Sequence, residues 1–436
     1  MCLLYRVSML LLTLLPCSAL AGDNQIDVVL ASRYFQEAER LCLRDNGELW
    51  GKSLCVPMAL IHPVSREVVT NQQDSSGSLV KKGNVYSGIW PDQLGVANST
   101  ATWGGIKWTT LVWPLPSDSI ARAALMLHES FHNVQEGLGF PSRIPANPQL
   151  DTRDGRVWLR LEWNALRKAL THTSDNERKE AVRDALIFRN FRHVLFPESD
   201  ETERQVEMHE GLAEYTGLKL CGLPPHQSAE YLATTMYGIR SMARSYVSSF
   251  AYWSGPAYAF LLDDSSPAWR KGLTADRELA VMLKAALSIE LPEDLERTAR
   301  DRMTLYEGSD VLAQETEREQ VHLRRVNEYT ERLVKGHVLV LPFVNMNMQY
   351  DPRDMVSLDS LGTVYPSIRV SDDWGIITVT EGGALMSPNW SSLTVAAPQD
   401  SQSRPIRGDG WGLELSPNWK IVPGRRPGDL TLEIIE

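Results

Sequence analysis

The sequence predicts an α+β fold, and three observations carry that prediction. Short β-type runs cluster between Trp50 and Pro114. Helical patterns fill most of 117 to 335, and strand-and-turn character returns from Gly336 to the end. At 436 residues the chain has room for two or three domains. Its 43% apolar and 23% charged residues are an ordinary soluble globular balance. A net charge of −11 and a pI near 5.4 argue against a general nucleic-acid binder, which would carry a basic patch or stripe.

Residues 1–21 stand apart. Arg6 precedes the apolar run "VSMLLLTLLPCSALA", and Ala19-Leu20-Ala21 fits a small-residue cleavage site. This predicts a signal peptide, a mature chain from Gly22, and an exported protein, periplasmic or secreted. The run is too short to anchor the chain, and no later run is long enough to span a bilayer. Export permits a disulfide. Among Cys42, Cys55 and Cys221, the pair Cys42–Cys55 would close a short loop between a helix end and a strand.

The elements follow in order. Residues 27 to 45, "DVVLASRYFQEAERLCLRD", repeat apolar positions at three- and four-residue steps and predict a helix. The runs "SLCVPMALIHP", "EVVTN", "NVYSGIW" and "TATWGGIKWTTLVWPLP", parted by Gly, Pro, Asn and Asp, predict a small mixed or antiparallel sheet. "SDSIARAALMLHESFHNVQEGLG" predicts a helix capped by Ser117 or Asp118 and ended by Gly137. Residues 153 to 245 and 273 to 335 read as mostly helical. The expected domains are 22–335, mixed, and 336–436, β-rich.

The candidate chemistry sits in the third of those segments. His128 and His132 are one helical turn apart on one face, so both imidazoles can address one metal ion. Glu129 lies about 100° round the helix, placed to reach a water beside the ion rather than the ion. That is the physical content of H-E-x-x-H: two ligands and a general base on one rigid element. The alternative is a surface helix with two solvated histidines. The flanking "AALML" and Phe131 make the helix apolar on most sides, and buried His, Glu and His need partners.

A catalytic zinc needs a third protein ligand. A third histidine six residues on is excluded, because Leu138 stands there. The best source is "EMHEGLAEYTG", 207 to 217, where Glu210 and Glu214 share a helix face. One can bind zinc while the other accepts a hydrogen bond from a ligand histidine. Glu207 and His209 are rival ligands. Gly211 and Ala213 keep this helix slim for close packing.

These residues resemble the gluzincin metallopeptidases, the group that contains thermolysin and the aminopeptidase N family. That group pairs HExxH with a downstream "NEGFA"-type segment, and "HEGLAEY" is similar. The resemblance implies zinc held by His128, His132 and Glu210, with Glu129 as general base and Glu214 behind a ligand histidine. It implies a zincin-like core, with a small mixed sheet over the HExxH helix and helices 153–195 inserted before the third ligand. "ATWGGIKWTTLVWP" is similar to the edge strand that pairs with substrate backbone, but Lys107 replaces the glutamate that would bind a free amine. "AYWSGPAYAFLLD" is similar to the segment whose tyrosine stabilises the oxyanion, which would give that role to Tyr252. The expected function is an exported zinc metallopeptidase acting on a peptide or protein substrate. The rivals are a non-enzymatic binding scaffold and a zinc hydrolase of non-peptide esters or amides.

Overall fold

A computed structural model describes residues 25–140, 144–238, 245–350, 355–401 and 403–435. The leader expected at 1–21 lies outside them. The chain is mixed α/β, 46% helical and 20% strand, compatible with α+β. It divides into two compact units, Met1–Leu312 and Ala313–Glu436. None of its helices, among the described residues, is long and apolar enough to cross a membrane.

The first unit opens with α1 (Val28–Asp45), whose N-cap Asp27 accepts from the amides of Val29 and Leu30. Its last turn is joined to the irregular segment before the first strand by a Cys42–Cys55 disulfide. Six strands follow: β1 (Met58–Ile61), β2 (Glu67–Thr70), β3 (Val80–Lys82), β4 (Val85–Ile89), β5 (Ser99–Trp103) and β6 (Ile106–Val112). They form one mixed sheet in the order β3-β4-β2-β1-β6-β5, antiparallel except for β1 against β6. Alternation along β1 explains its central place. Met58 and Leu60 face a core shared with Phe35 of α1, while Ala59 and Ile61 face a second core with Trp90 and Trp108. A strand buried on both faces needs apolar residues at every position, and "MALI" supplies them.

The helices are α2 (Ser119–Gln135), α3 (Arg153–Thr171), α4 (Asp175–Leu195), α5 (Ser199–Val206), α6 (Leu212–Leu220), α7 (Pro225–Gly238), α8 (Ala251–Ser265), α9 (Leu279–Ala286) and α10 (Leu295–Arg302). Their apolar faces meet in the largest core, which includes Phe131, Trp158, Phe188, Tyr215 and Tyr258. The helical block expected over 273–335 is broken into α9, α10 and a longer helix, α11 (Gly308–Thr330).

The second unit begins at Ala313, ahead of the strands that the sequence reading starts at 336. Its first strand is Val338–Pro342. A seven-stranded and a five-stranded sheet share one core, to which Leu339, Leu393 and Val395 contribute from the first and Val370, Ile377 and Leu413 from the second. That is a sandwich of two sheets packed face to face.

Candidate metal centre

The site is built where α2 meets α6. The Asp118 side chain caps α2 by accepting from the Ala121 amide at 2.8 Å. Buried Ala123, Met126, Leu127, Phe131 and Val134 then fix which way α2 faces. Helix α6 comes close because Gly217 has no side chain: a Cβ there would run into the Ala124 carbonyl.

A π-helical turn, Glu207–Gly211, precedes α6. One extra residue per turn rotates the side chains that follow, and such turns recur at functional sites. The turn is pressed onto α8 glycine to glycine, since a Cβ on Gly211 would lie 2.8 Å from the Gly255 Cα.

His128, His132 and Glu210 come together here. The two Nε2 atoms lie 3.1 Å apart, and Glu210 Oε2 is 3.4 Å from each. Ligand bonds of about 2.0–2.1 Å at tetrahedral angles would put three donor atoms roughly 3.3 Å from one another. The triangle therefore fits a small divalent cation with N and O ligands.

The outer contacts fit as well. His128 Nδ1 bonds Glu214 Oε2 at 2.9 Å, and His132 Nδ1 bonds Gln135 Oε1 at 2.7 Å. An Nδ1–H given to each acceptor leaves the Nε2 lone pairs facing each other and free for a metal.

Three carboxylates converge on this small volume. Burial pushes the His128 imidazole down, but bonds to Glu210 and Glu214 outweigh it and raise it to about 10. Burial pushes the Glu129 carboxyl up, opposed by His128 and His132. Burial works the same way on Glu210, yet His132, His128 and His209 together hold it well below the usual range. The cluster favours positive charge at its centre. Glu129 Oε2 is buried with no hydrogen-bond partner among the described residues. An orphaned acceptor beside the donor triangle suits a water or substrate group there.

Of the two rival ligands, Glu207 is drawn away and His209 stays beside the donor triangle. Arg189 takes both oxygens of Glu207, at 2.9 and 2.8 Å, so that carboxylate is already engaged. His209 Nδ1 bonds Glu210 Oε1 at 3.0 Å, and its ring lies 4.7 Å from that of His132. Tyr252 reaches the site from α8. Its hydroxyl donates to Glu210 Oε2 at 2.7 Å, and its ring stacks on His128 at 5.5 Å. As placed, that hydroxyl is given to the candidate ligand oxygen. Burial, then Glu210, pushes the phenol well up, so it stays a donor.

Lys107 lies on β6, which pairs with β5 on one side and β1 on the other. The sheet edge is β5. The segment expected to offer a free edge spans both strands: Ala101–Trp103 lie on edge strand β5, while Lys107 lies on the inner β6. The Lys107 ammonium donates to the Asn133 carbonyl at 2.7 Å, and Asn133 Nδ2 returns a bond to the Lys107 carbonyl at 3.1 Å. These bonds tie β6 to the last turn of α2.

Sequence reasoning missed Gln135. Its only local signal is its place one turn after His132 on the same helix face. No family model, curated protein or solved structure matches this chain.

Proposed function

We propose that this chain is an exported zinc-dependent hydrolase of gluzincin type, a metallopeptidase cleaving peptide bonds in a peptide or protein substrate. The observation that carries the reading is the triangle of His128 Nε2, His132 Nε2 and Glu210 Oε2 beside the unpartnered Oε2 of Glu129. Zinc held by those three residues would supply a Lewis acid, polarising a carbonyl and making a water more acidic.

Glu129 takes the proton from the attacking water on Oε2 and passes it to the leaving amine. A structural metal site would have no use for such a base. Glu214 and Gln135 fix the two imidazoles, as outer partners of metal ligands do. Tyr252 holds Glu210 through its hydroxyl and is a positioning residue in this geometry. The oxyanion role that the resemblance implies would require it to leave Glu210. Tyr252→Phe separates the two: weakened zinc binding marks the first role, and lost turnover with zinc retained marks the second.

Export is supported by the Cys42–Cys55 disulfide, a bond that persists in oxidising compartments. No carboxylate stands at 107 to anchor a free amine. Blocked peptides should therefore serve at least as well as free-amine ones, and efficient cleavage of aminoacyl reporters would contradict this.

The test is digestion of a broad peptide library by zinc-loaded mature protein, with and without a chelator. Chelator-sensitive cleavage is the expected result. Chelator-sensitive hydrolysis restricted to ester panels would move the substrate class. Zinc binding with no turnover on any panel would favour the binding scaffold.

A further inference from the structure

We infer that Gln135 is a clasp that sets the position of the third ligand, holding His132 with one end of its carboxamide and the π-helical turn that carries Glu210 with the other. This rests on the zinc reading for its consequence, though not for its geometry.

Gln135 is the last residue of α2 and is 3% exposed. Its Oε1 bonds His132 Nδ1 at 2.7 Å. Its Nε2 donates to the Met208 carbonyl at 3.3 Å and the His209 carbonyl at 3.2 Å. Those carbonyls belong to the two residues just before Glu210, inside the π turn. Buried carbonyls need donors, and a π turn shifts them out of the regular i to i−4 ladder.

Gln135 answers both demands because of what a carboxamide is: one acceptor oxygen and two N–H donors on one rigid plane. A carboxylate here could take the imidazole N–H but give nothing to the carbonyls. An ammonium could serve the carbonyls but not the imidazole N–H. A hydroxyl has a single proton for two carbonyls.

Other restraints also hold the turn: the Arg189 grip on Glu207, the Gly211–Gly255 contact and the Tyr252 hydroxyl on Glu210. Tyr252 also stacks on His128, but among these restraints Gln135 is the one hydrogen-bonded both to a candidate ligand histidine and to the backbone of the turn. It therefore fixes His132 relative to Glu210 directly, across two helices that are far apart in sequence. Gln135 is a positioning residue: it has no atom in the donor triangle.

Two variants test this, Gln135→Glu, which keeps the acceptor and loses both donors, and Gln135→Leu, which loses everything. The first readout is hydrogen exchange of the metal-free full chain. In both variants the amides of residues 208–213 should exchange on the order of tenfold faster, while those of α4 keep their rates. Unchanged exchange over 208–213 in Gln135→Glu would mean that only the His132 bond matters, and would overturn the clasp. Acceleration spread equally over α4 would mean general destabilisation, and would also overturn it.

The second readout is the visible spectrum of the cobalt-substituted protein, which reports ligand geometry independently of turnover. It should change in both variants, with zinc affinity falling on the order of 10–100-fold in Gln135→Leu. A wild-type spectrum and affinity in Gln135→Leu would contradict the clasp. If the wild-type chain takes up neither metal, the proposed function fails, and the exchange experiment alone then decides the clasp.

Discussion

Glu207 and Glu210 stand three residues apart in one buried π turn and meet opposite surroundings. Glu207 faces a cluster closed by its own cations. Arg189 joins Glu207 and Glu162, Arg192 joins Glu162 and Glu203, and Tyr258 donates to Glu162 at 2.8 Å. Glu162, Glu203 and Arg192 have no exposed surface at all. Glu210 faces three imidazoles and two further carboxylates, one of them with an orphaned oxygen, and among the described residues no Lys or Arg is bonded to its carboxylate. One cluster carries its own counter-charge, and the other is arranged as if the counter-charge comes from outside. Buried carboxylates are not metal sites by themselves. The neighbours decide, and here the neighbours change within one turn of helix.

That contrast can be broken from either side. The largest effect belongs to the ligands: His128→Ala or His132→Ala should abolish zinc binding, read as metal content after dialysis. Arg192→Ala, in the closed cluster, should leave metal content per folded molecule near wild type. If both behave alike, the two clusters are not distinct.

Glu129→Gln comes next. It keeps shape and a hydrogen bond but cannot accept a proton. Turnover should fall by about 10²–10⁴-fold, with zinc content and melting temperature near wild type. Wild-type turnover in this variant would remove Glu129 from the mechanism.

The closed cluster should show its worth in stability rather than metal. Arg192→Ala leaves Glu162 and Glu203 without their shared partner, which typically costs about 3–5 kcal/mol, read from the denaturant midpoint. A change under about 1 kcal/mol would mean that water enters the cluster. Acid acts on the same bonds. Burial pushes Glu203 up, but Arg192 and His193 outweigh it and hold its carboxyl below the ordinary range. A depressed carboxyl stabilises the fold fully above its unfolded value, about 4.3. That contribution is lost as pH falls through the lower folded value.

The smallest effect is at Glu214. Its bond to His128 is an outer contact, so Glu214→Ala should weaken zinc by on the order of 10–100-fold without abolishing it. Complete loss of the metal would make Glu214 a ligand and displace Glu210.

Much of the candidate site was legible because its signals are local. The spacing of His128 and His132 follows from helix geometry, and Gly211 in "HEGLAEY" announces a close helix contact. The disulfide partners were also near in sequence. What could not be read depends on partners distant in the chain. Nothing in "EMHEG" distinguishes Glu207 from Glu210 until Arg189 arrives from α4. The π turn leaves no mark in a pattern of ordinary helix formers. Helix α8 falls between the two blocks read as helical, and nothing local announces that its Gly255 meets Gly211. Lys107 is not on the edge strand, because β1, far upstream in sequence, fills the other side of β6 and leaves the edge to β5.

The function proposed for this site depends on His128, His132 and Glu210 holding one metal ion. X-ray absorption at the zinc edge, on mature protein loaded at one equivalent, tests it most directly. The expected result is about one bound zinc per chain, coordinated only by nitrogen and oxygen at about 2.0–2.2 Å, with the signature of two imidazoles. No uptake at one equivalent, a sulfur ligand, or an unchanged spectrum in the His128→Ala/His132→Ala double variant would contradict it.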